Sequence, residues 1–218
     1  MIFIPWRVKN FLSEHFPLLY HLAVNLGARG NSPEHWDARL AETWDDPGRN
    51  WPVFNEMIAS LADPSETILD VGCGNGGTLH YLKSRGFRNL HGMDISAYAV
   101  NRLRAEGIEM HYATLPAIPL PDGSYDVVIA SFVLEHIIRR RRFIKEIVRV
   151  LKLAGRAFIF VPDDCLSPID EPEHVTTFTD RSLRKLIARY LRVVSIDKVR
   201  DSTNPAPILF AQAQKQAG

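Results

Sequence analysis

The 218-residue chain predicts an α/β fold: a doubly wound, seven-stranded sheet, parallel apart from one antiparallel strand, with an N-terminal helical segment in front. Three observations predict it. From residue 67 onward, short apolar runs of strand length alternate with longer amphipathic stretches, the pattern of parallel strands joined by crossover helices. The first of these runs passes through Gly72-Cys73-Gly74-Asn75-Gly76-Gly77 into a helix start at Thr78. The chain closes on two apolar runs, 192–199 and 208–213, with a Pro-containing turn and no helix between them, which reads as an antiparallel pair.

The elements follow in order. Strands are expected at Thr67–Val71 and at 89–93, 108–112, 125–130 and 157–161, and helices at 78–85, 97–106, 134–151 and 180–190. Ahead of them, residues 1–51 carry Val8, Phe11, Leu12, Phe16, Leu19, Leu22 and Leu26 at helix-like spacings. They read as a helical appendage or lid on a domain spanning 52–218, with an interfacial membrane anchor as the alternative. Arg7, Lys9, Glu14, His15 and His21 interrupt any long apolar run there, so no transmembrane span is expected. Glu14 and the weak Gly27-Ala28-Arg29 site argue against a signal peptide. Ser32 followed by Pro33 marks a helix start, and Trp36 and Arg39 share a face of that helix.

Length suits one domain with a full core. A formal net charge of +1 gives no general reason to expect nucleic acid as a partner. Two cysteines, Cys73 and Cys165, are too few for a disulfide framework or a cysteine metal cluster, which suits a reducing, cytoplasmic setting. The four arginines at 139–142 lie between apolar positions and read as a solvated face or helix start, with phosphate or nucleic-acid binding as the alternative.

Chemistry is concentrated around the first glycine turn. Glycines let the backbone adopt positive φ and approach a ligand, and a following helix directs N–H groups at an anion. The spacing of Gly72, Gly74 and Gly77 alone is a weak signal. Asp70 at the strand end and Asp94 about twenty residues beyond the glycines strengthen it, since an acid at the second position can accept from both ribose hydroxyls.

Five ordered motifs then carry a resemblance. Residues 68–76 (Ile-Leu-Asp-Val-Gly-Cys-Gly-Asn-Gly), 92–96 (Gly-Met-Asp-Ile-Ser), 120–128 (Leu-Pro-Asp-Gly-Ser-Tyr-Asp-Val-Val), 132–136 (Phe-Val-Leu-Glu-His) and 149–152 (Arg-Val-Leu-Lys) resemble those of the class I S-adenosylmethionine-dependent methyltransferases, in particular the "type 11" methyltransferase domain. The resemblance covers about residues 65–162 and implies a Rossmann-like fold with its seventh strand inserted between the fifth and sixth. It implies S-adenosylmethionine as cofactor and S-adenosylhomocysteine as product, with Asp94 on the ribose and the backbone N–H groups of Gly72, Cys73, Gly74, Asn75, Gly76 and Gly77 on the methionine carboxylate. The Gly72 and Ser131 carbonyls would take the ammonium, Asp70 would order the loop, and Ile95 would pack on the adenine. Thr114 and Leu115 would flank the adenine, although Thr114 departs from the acid common there. Trp36 and Arg39 would cover the methionine end.

Two histidines are candidates for the base that takes a proton from an acceptor: His174, preferred, in the loop after the fifth strand, and His136, whose other role would be packing beside the adenosine. The loop carboxylates have no regular ligand spacing, so no metal is assigned. The reading is methyl transfer to an oxygen or nitrogen of a small-molecule or precursor acceptor. No nucleic acid partner is expected, membrane contact would be peripheral at most, and the protein would be a monomer or homodimer. The rivals are an NAD(P)-dependent oxidoreductase, which the glycine spacing permits, and a catalytically inactive cofactor-binding protein of the same fold.

Overall fold

The computed structural model describes Val8, Phe11, Phe16 and residues 31–46, 51–163, 173–201 and 204–216. The elements are α1 (Pro33–Glu42), α2 (Pro52–Leu61), β1 (Thr67–Val71), α3 (Gly77–Ser84), β2 (Asn89–Asp94), α4 (Ala97–Ala105), β3 (Glu109–Tyr112), β4 (Tyr125–Ser131), α5 (Arg140–Val150), β5 (Leu151–Pro162), α6 (Asp180–Ile187), β6 (Arg192–Asp201) and β7 (Asn204–Gln214). One seven-stranded sheet runs β3-β2-β1-β4-β5-β7-β6. Only β7 is antiparallel to its neighbours, β5 and β6. This is the doubly wound sheet predicted from the alternation, with the last strand inserted as expected.

Both faces of the sheet are covered, which is why its central strands read as continuous apolar runs rather than as alternating ones. Leu69, Val71, Val128, Ala130 and Ile159 pack on one side against Phe143, Ile144 and Ile147 of α5 and Leu183 and Ile187 of α6. Ile68, Val127, Ile129, Phe158 and Phe160 face the other way, onto Phe54 and Ile58 of α2 and Leu82 of α3. Val100 and Leu103 of α4 pack with Leu79 of α3 and Leu40 of α1.

Three local outcomes differ from the sequence expectations. The single helix expected over 134–151 is broken: a 3-10 turn at Leu134–His136 gives way to extended Ile137, and α5 begins at Arg140. The Glu135 carbonyl accepts from the N–H groups of Val175 and Thr176 at 2.9 and 3.1 Å, so a distant loop takes the bond a helix would have used. β5 starts at Leu151 rather than at 157, because Leu151 pairs with Tyr125 across a register shift, with Ala154 at φ +62°. Helix α2 was not anticipated, although Pro52 at its first position and the spacing of Phe54 and Ile58 are legible signals.

Of the helical segment expected over 1–51, α1 is described, and Val8 and Phe11 are helical. The remaining lid and anchor expectations, with Cys165 and the acids at 164, 170 and 171, lie outside the described residues. α1 is anchored to α4: Asp37 Oδ1 accepts from the Ser96 hydroxyl at 2.6 Å and from the Tyr98 N–H at 2.9 Å. Among the described residues no helix is long and apolar enough to cross a membrane.

Candidate functional site

The parallel arrangement brings the C-terminal ends of β1, β2, β3 and β4 to one edge, where open α/β sheets bind ligands. A cavity of about 950 Å³ lies there, at the upper end of the range for small-molecule sites. The turn after β1 forms part of its floor. Gly72, Gly74 and Gly76 have φ of +70°, +54° and +75°, conformations that favour glycine. A Cβ on Gly72 would stand 2.5 Å from Val133 Cγ2, whereas one on Gly74 would meet only Leu40, at 3.8 Å.

Of the expected cofactor residues, Asp70, Gly72, Cys73, Gly74 and Asn75 line the cavity from the turn, Asp94 and Ile95 from the end of β2, Thr114 and Leu115 from the loop after β3, and Ser131 from the end of β4. Trp36 and Arg39 line it from α1. Gly76 does not. It is the N-cap of α3, and a Cβ there would meet Leu103 at 2.6 Å, so it turns toward the core. Gly77 and Thr78 reach the wall instead.

Most of the backbone N–H groups expected to cradle a carboxylate are bonded within the protein. Gly72 and Cys73 N–H donate to the Met93 carbonyl at 2.6 and 3.2 Å, and Gly76 N–H donates to the Cys73 carbonyl at 2.9 Å. Gly74 N–H donates to Asp94 Oδ2 at 2.9 Å, and Gly77 N–H to Asn75 Oδ1 at 3.3 Å. The turn therefore spends these donors on holding itself against the end of β2. Asp94 Oδ1 accepts from Ser96 N–H at 2.8 Å. The same carboxylate lines the cavity.

Electrostatics state what the floor will hold. Asp70 is 3% exposed, and burial, followed by the neighbouring Asp94, pushes its carboxyl up to about 7 from an ordinary 3.8. A cation placed against the pair would relieve both carboxylates, and a phosphate would worsen their repulsion. The Cys73 thiol is pushed well up by burial and then by the same two acids, so it is a neutral packing group rather than a nucleophile.

The cover is tied down from across the fold. Glu173 Oε1 accepts from Arg39 at 2.7 Å and from His35 Nε2 at 3.0 Å. Burial works against ionisation of Glu173, but its own backbone N–H, Arg39 and His35 outweigh it and hold the carboxyl below the usual range. Asn31 donates to the Glu173 carbonyl at 2.9 Å. Trp36 packs edge-on to His136, with ring centroids 5.3 Å apart, and His136 in turn to His174 at 4.9 Å. His136 Nδ1 lies 3.1 Å from the Glu173 carbonyl. A carbonyl only accepts, so Nδ1 carries a proton. Both histidines line the cavity, and so does Glu135, a buried acid whose carboxylate comes within 4.8 Å of a nitrogen of each. Glu135 had no assigned role in the sequence. Trp51 and Phe132 were missed as well: their rings stack at 4.7 Å, holding Phe132 at φ +57° where β4 ends.

A family model described as "Methyltransferase domain" matches residues 69–159, the stretch from β1 to β5 that builds this edge. This stretch matches the methyltransferase domain that the five motifs resemble. This methyltransferase domain is 31% identical, over 56% of the chain and 37% of the relative, to 24-methylenesterol C-methyltransferase 2 of Oryza sativa subsp. japonica. It is 32% identical, over 51% of the chain and 18% of the relative, to a tRNA (carboxymethyluridine(34)-5-O)-methyltransferase of Xenopus tropicalis. The chain spans less than half the length of these curated relatives. A fold match covers 100% of the chain and 92% of the Burkholderia thailandensis 1,6-didemethyltoxoflavin-N1-methyltransferase, solved with 1,6-didemethyltoxoflavin and S-adenosylhomocysteine bound, at a TM-score of 0.67 and 17% identity. The acid pair on the floor of the methyltransferase cavity suits the cationic cofactor of this family, and it does not suit the pyrophosphate of a dinucleotide.

Proposed function

We propose that this protein transfers a methyl group from S-adenosylmethionine to an oxygen or nitrogen of a small-molecule or precursor acceptor. The observation that carries the reading is one cavity lined both by the Asp70–Asp94 pair and by the His136–His174 pair. Asp94 would accept from the ribose hydroxyls, and Ile95, Thr114 and Leu115 would enclose the adenine. The carboxylates of Asp70 and Asp94 favour the cofactor's positive charge, and the Gly72 and Ser131 carbonyls would accept from its ammonium. Because most turn N–H groups are already satisfied, Arg39, which lines the cavity from α1 while bonded to Glu173, would meet the methionine carboxylate. The bound cofactor supplies a methyl carbon already activated by its sulfonium. The chain must then hold an acceptor against it in a dry site.

The proton of a hydroxyl or amine acceptor would go to the histidine pair. His174 is the proposed base. His136, which donates from Nδ1 to the Glu173 carbonyl, is the alternative. Paired measurements of cofactor affinity and turnover separate them. His174→Ala should lower turnover about 100- to 10,000-fold at unchanged affinity, while His136→Ala should disturb affinity or stability. Loss of turnover at full affinity in His136→Ala alone reverses the roles, and loss in neither leaves positioning as the whole of catalysis.

A second reading takes RNA as acceptor. It is favoured by the tRNA methyltransferase relative and by Arg139, which lines the cavity beside exposed Arg141 and Arg142. Methylation of bulk tRNA that weakens steeply with salt would support it over a small acceptor.

A further inference from the structure

Away from the cofactor cavity, the edge of the sheet brings together three side chains that the methyltransferase reading does not use. β2 and β3 are parallel with His91 opposite Glu109, and His111 lies two residues beyond Glu109. A strand repeats its facing every two residues, so all three side chains project from one face. His91 Nδ1 lies 3.3 Å from Glu109 Oε1, and His111 Nε2 lies 3.9 Å from the same oxygen. The two imidazoles are stacked with their planes 6° apart and centroids 5.8 Å apart, and Tyr125 packs edge-on to His91 at 5.3 Å. Both nitrogens are buried and make no hydrogen bond. The three donor atoms all lie within 4.8 Å of one another.

We propose that His91, Glu109 and His111 form a binding site for a divalent first-row transition-metal ion, Zn²⁺ being the representative, which clips edge strand β3 to β2. Two imidazoles and one carboxylate are a borderline nitrogen–oxygen set that suits zinc, cobalt or nickel and disfavours magnesium and calcium, which take oxygen. Bonds of about 2.0–2.2 Å to a tetrahedral ion set its ligands roughly 3.4 Å apart, so the observed separations need only small rotations of side chains. Glu109 is 63% exposed, so its carboxylate can swing and the remaining coordination position opens to water. Arg104 donates to the Met110 carbonyl at 2.7 Å, which keeps it bonded to the backbone rather than to Glu109. A clip here would matter because β3 is a four-residue edge strand paired on one side only.

The test is calorimetric titration of Zn²⁺ into the full chain after stripping with EDTA, alongside thermal unfolding with and without the ion. Wild type should bind one ion at this site and unfold at a higher temperature with zinc. His91→Phe and His111→Phe keep a ring in the stack and remove the ligand, and Glu109→Gln alters only the exposed arm. Each should weaken zinc binding by at least about 100-fold, since even partners outside the coordination sphere cost about 10–100-fold when lost. The Glu135, His136 and His174 group is the competing locus, so His174→Ala must keep the response. No stoichiometric uptake by wild type, uptake that survives in His91→Phe and Glu109→Gln, or uptake lost in His174→Ala would each overturn the proposal. Equal unfolding temperatures of wild type and Glu109→Gln in EDTA establish that the lost binding is not lost folding.

Discussion

Asp94 holds the glycine turn with the carboxylate that the proposed function gives to the ribose. It accepts from Gly74 N–H and Ser96 N–H while lining the cavity. Asp94→Ala should weaken S-adenosylmethionine binding by about 1.5–3 kcal/mol, the range for bonds to a charged group. Titration of the purified variant checks this, and wild-type affinity would remove Asp94 from the ribose site. Asp70 makes the opposite contribution, opposing folding where Asp94 supports the turn. The unfolded chain ionises it near 3.8, while the native protein keeps it protonated to about 7. Between those values the native state binds more protons, so stability falls as pH rises through the window and stays reduced above it, by up to about 4 kcal/mol at about 1.36 kcal/mol per unit. Asp70→Asn should therefore raise the unfolding temperature of the ligand-free protein at pH 8 and leave it nearly unchanged at pH 4. Unfolding curves of the two proteins across this range decide it, and parallel curves would mean that Asp70 is not held neutral. These acids are legible in the sequence as strand-end residues, but their mutual repulsion is a property of the packed sheet edge.

At the scale of elements, the glycine turn and α1 behave differently. Gly72 is closed on by Val133, whereas a Cβ on Gly74 would make only ordinary contact with Leu40, although both have positive φ. Gly72→Ala should therefore destabilise the fold by more than Gly74→Ala, whose cost is the left-handed backbone alone, about 1–2 kcal/mol. Denaturant unfolding of the two variants checks the order. α1 is held by Asp37 on α4 and by Arg39 and His35 on Glu173, a residue of the loop after β5. Ligand in the cavity beneath it should slow amide exchange across residues 31–46, and Glu173→Gln should speed it in the ligand-free protein. Exchange followed by mass spectrometry tests both, and equal protection with and without cofactor would make α1 a static part of the domain. The Trp36–Arg39 spacing identified a shared helix face. The partner that fixes it, Glu173, is 134 residues away in sequence, and no local pattern marks such a contact.

At the scale of the molecule, a ligand that binds only the folded state stabilises it by mass action. S-adenosylmethionine at a hundred times its dissociation constant should add about 2.7 kcal/mol, a shift of several degrees in a scanning unfolding experiment, and NAD⁺ should add nothing. A shift with NAD⁺ alone would reverse the cofactor assignment. Strand-helix alternation, the terminal strand pair and the five motifs determined the sheet, its order and the family, because the period of apolar residues and the positions of turn glycines are local quantities written directly in the chain. The break between the turn at 134–136 and α5 was not legible, since the Glu135 carbonyl is claimed by residues forty positions downstream. For the same reason the sequence reading offered the turn N–H groups to a ligand, when the fold offers them to Met93, Cys73, Asn75 and Asp94. Two histidines on neighbouring strands stand twenty residues apart in the chain and face each other only through parallel register. The sequence by itself determined which residue types stand at the ends of the strands. Tertiary structure alone decided which of their donors, acceptors and charges remain for a ligand, because burial and hydrogen bonding are shared out among residues that meet only in the folded state.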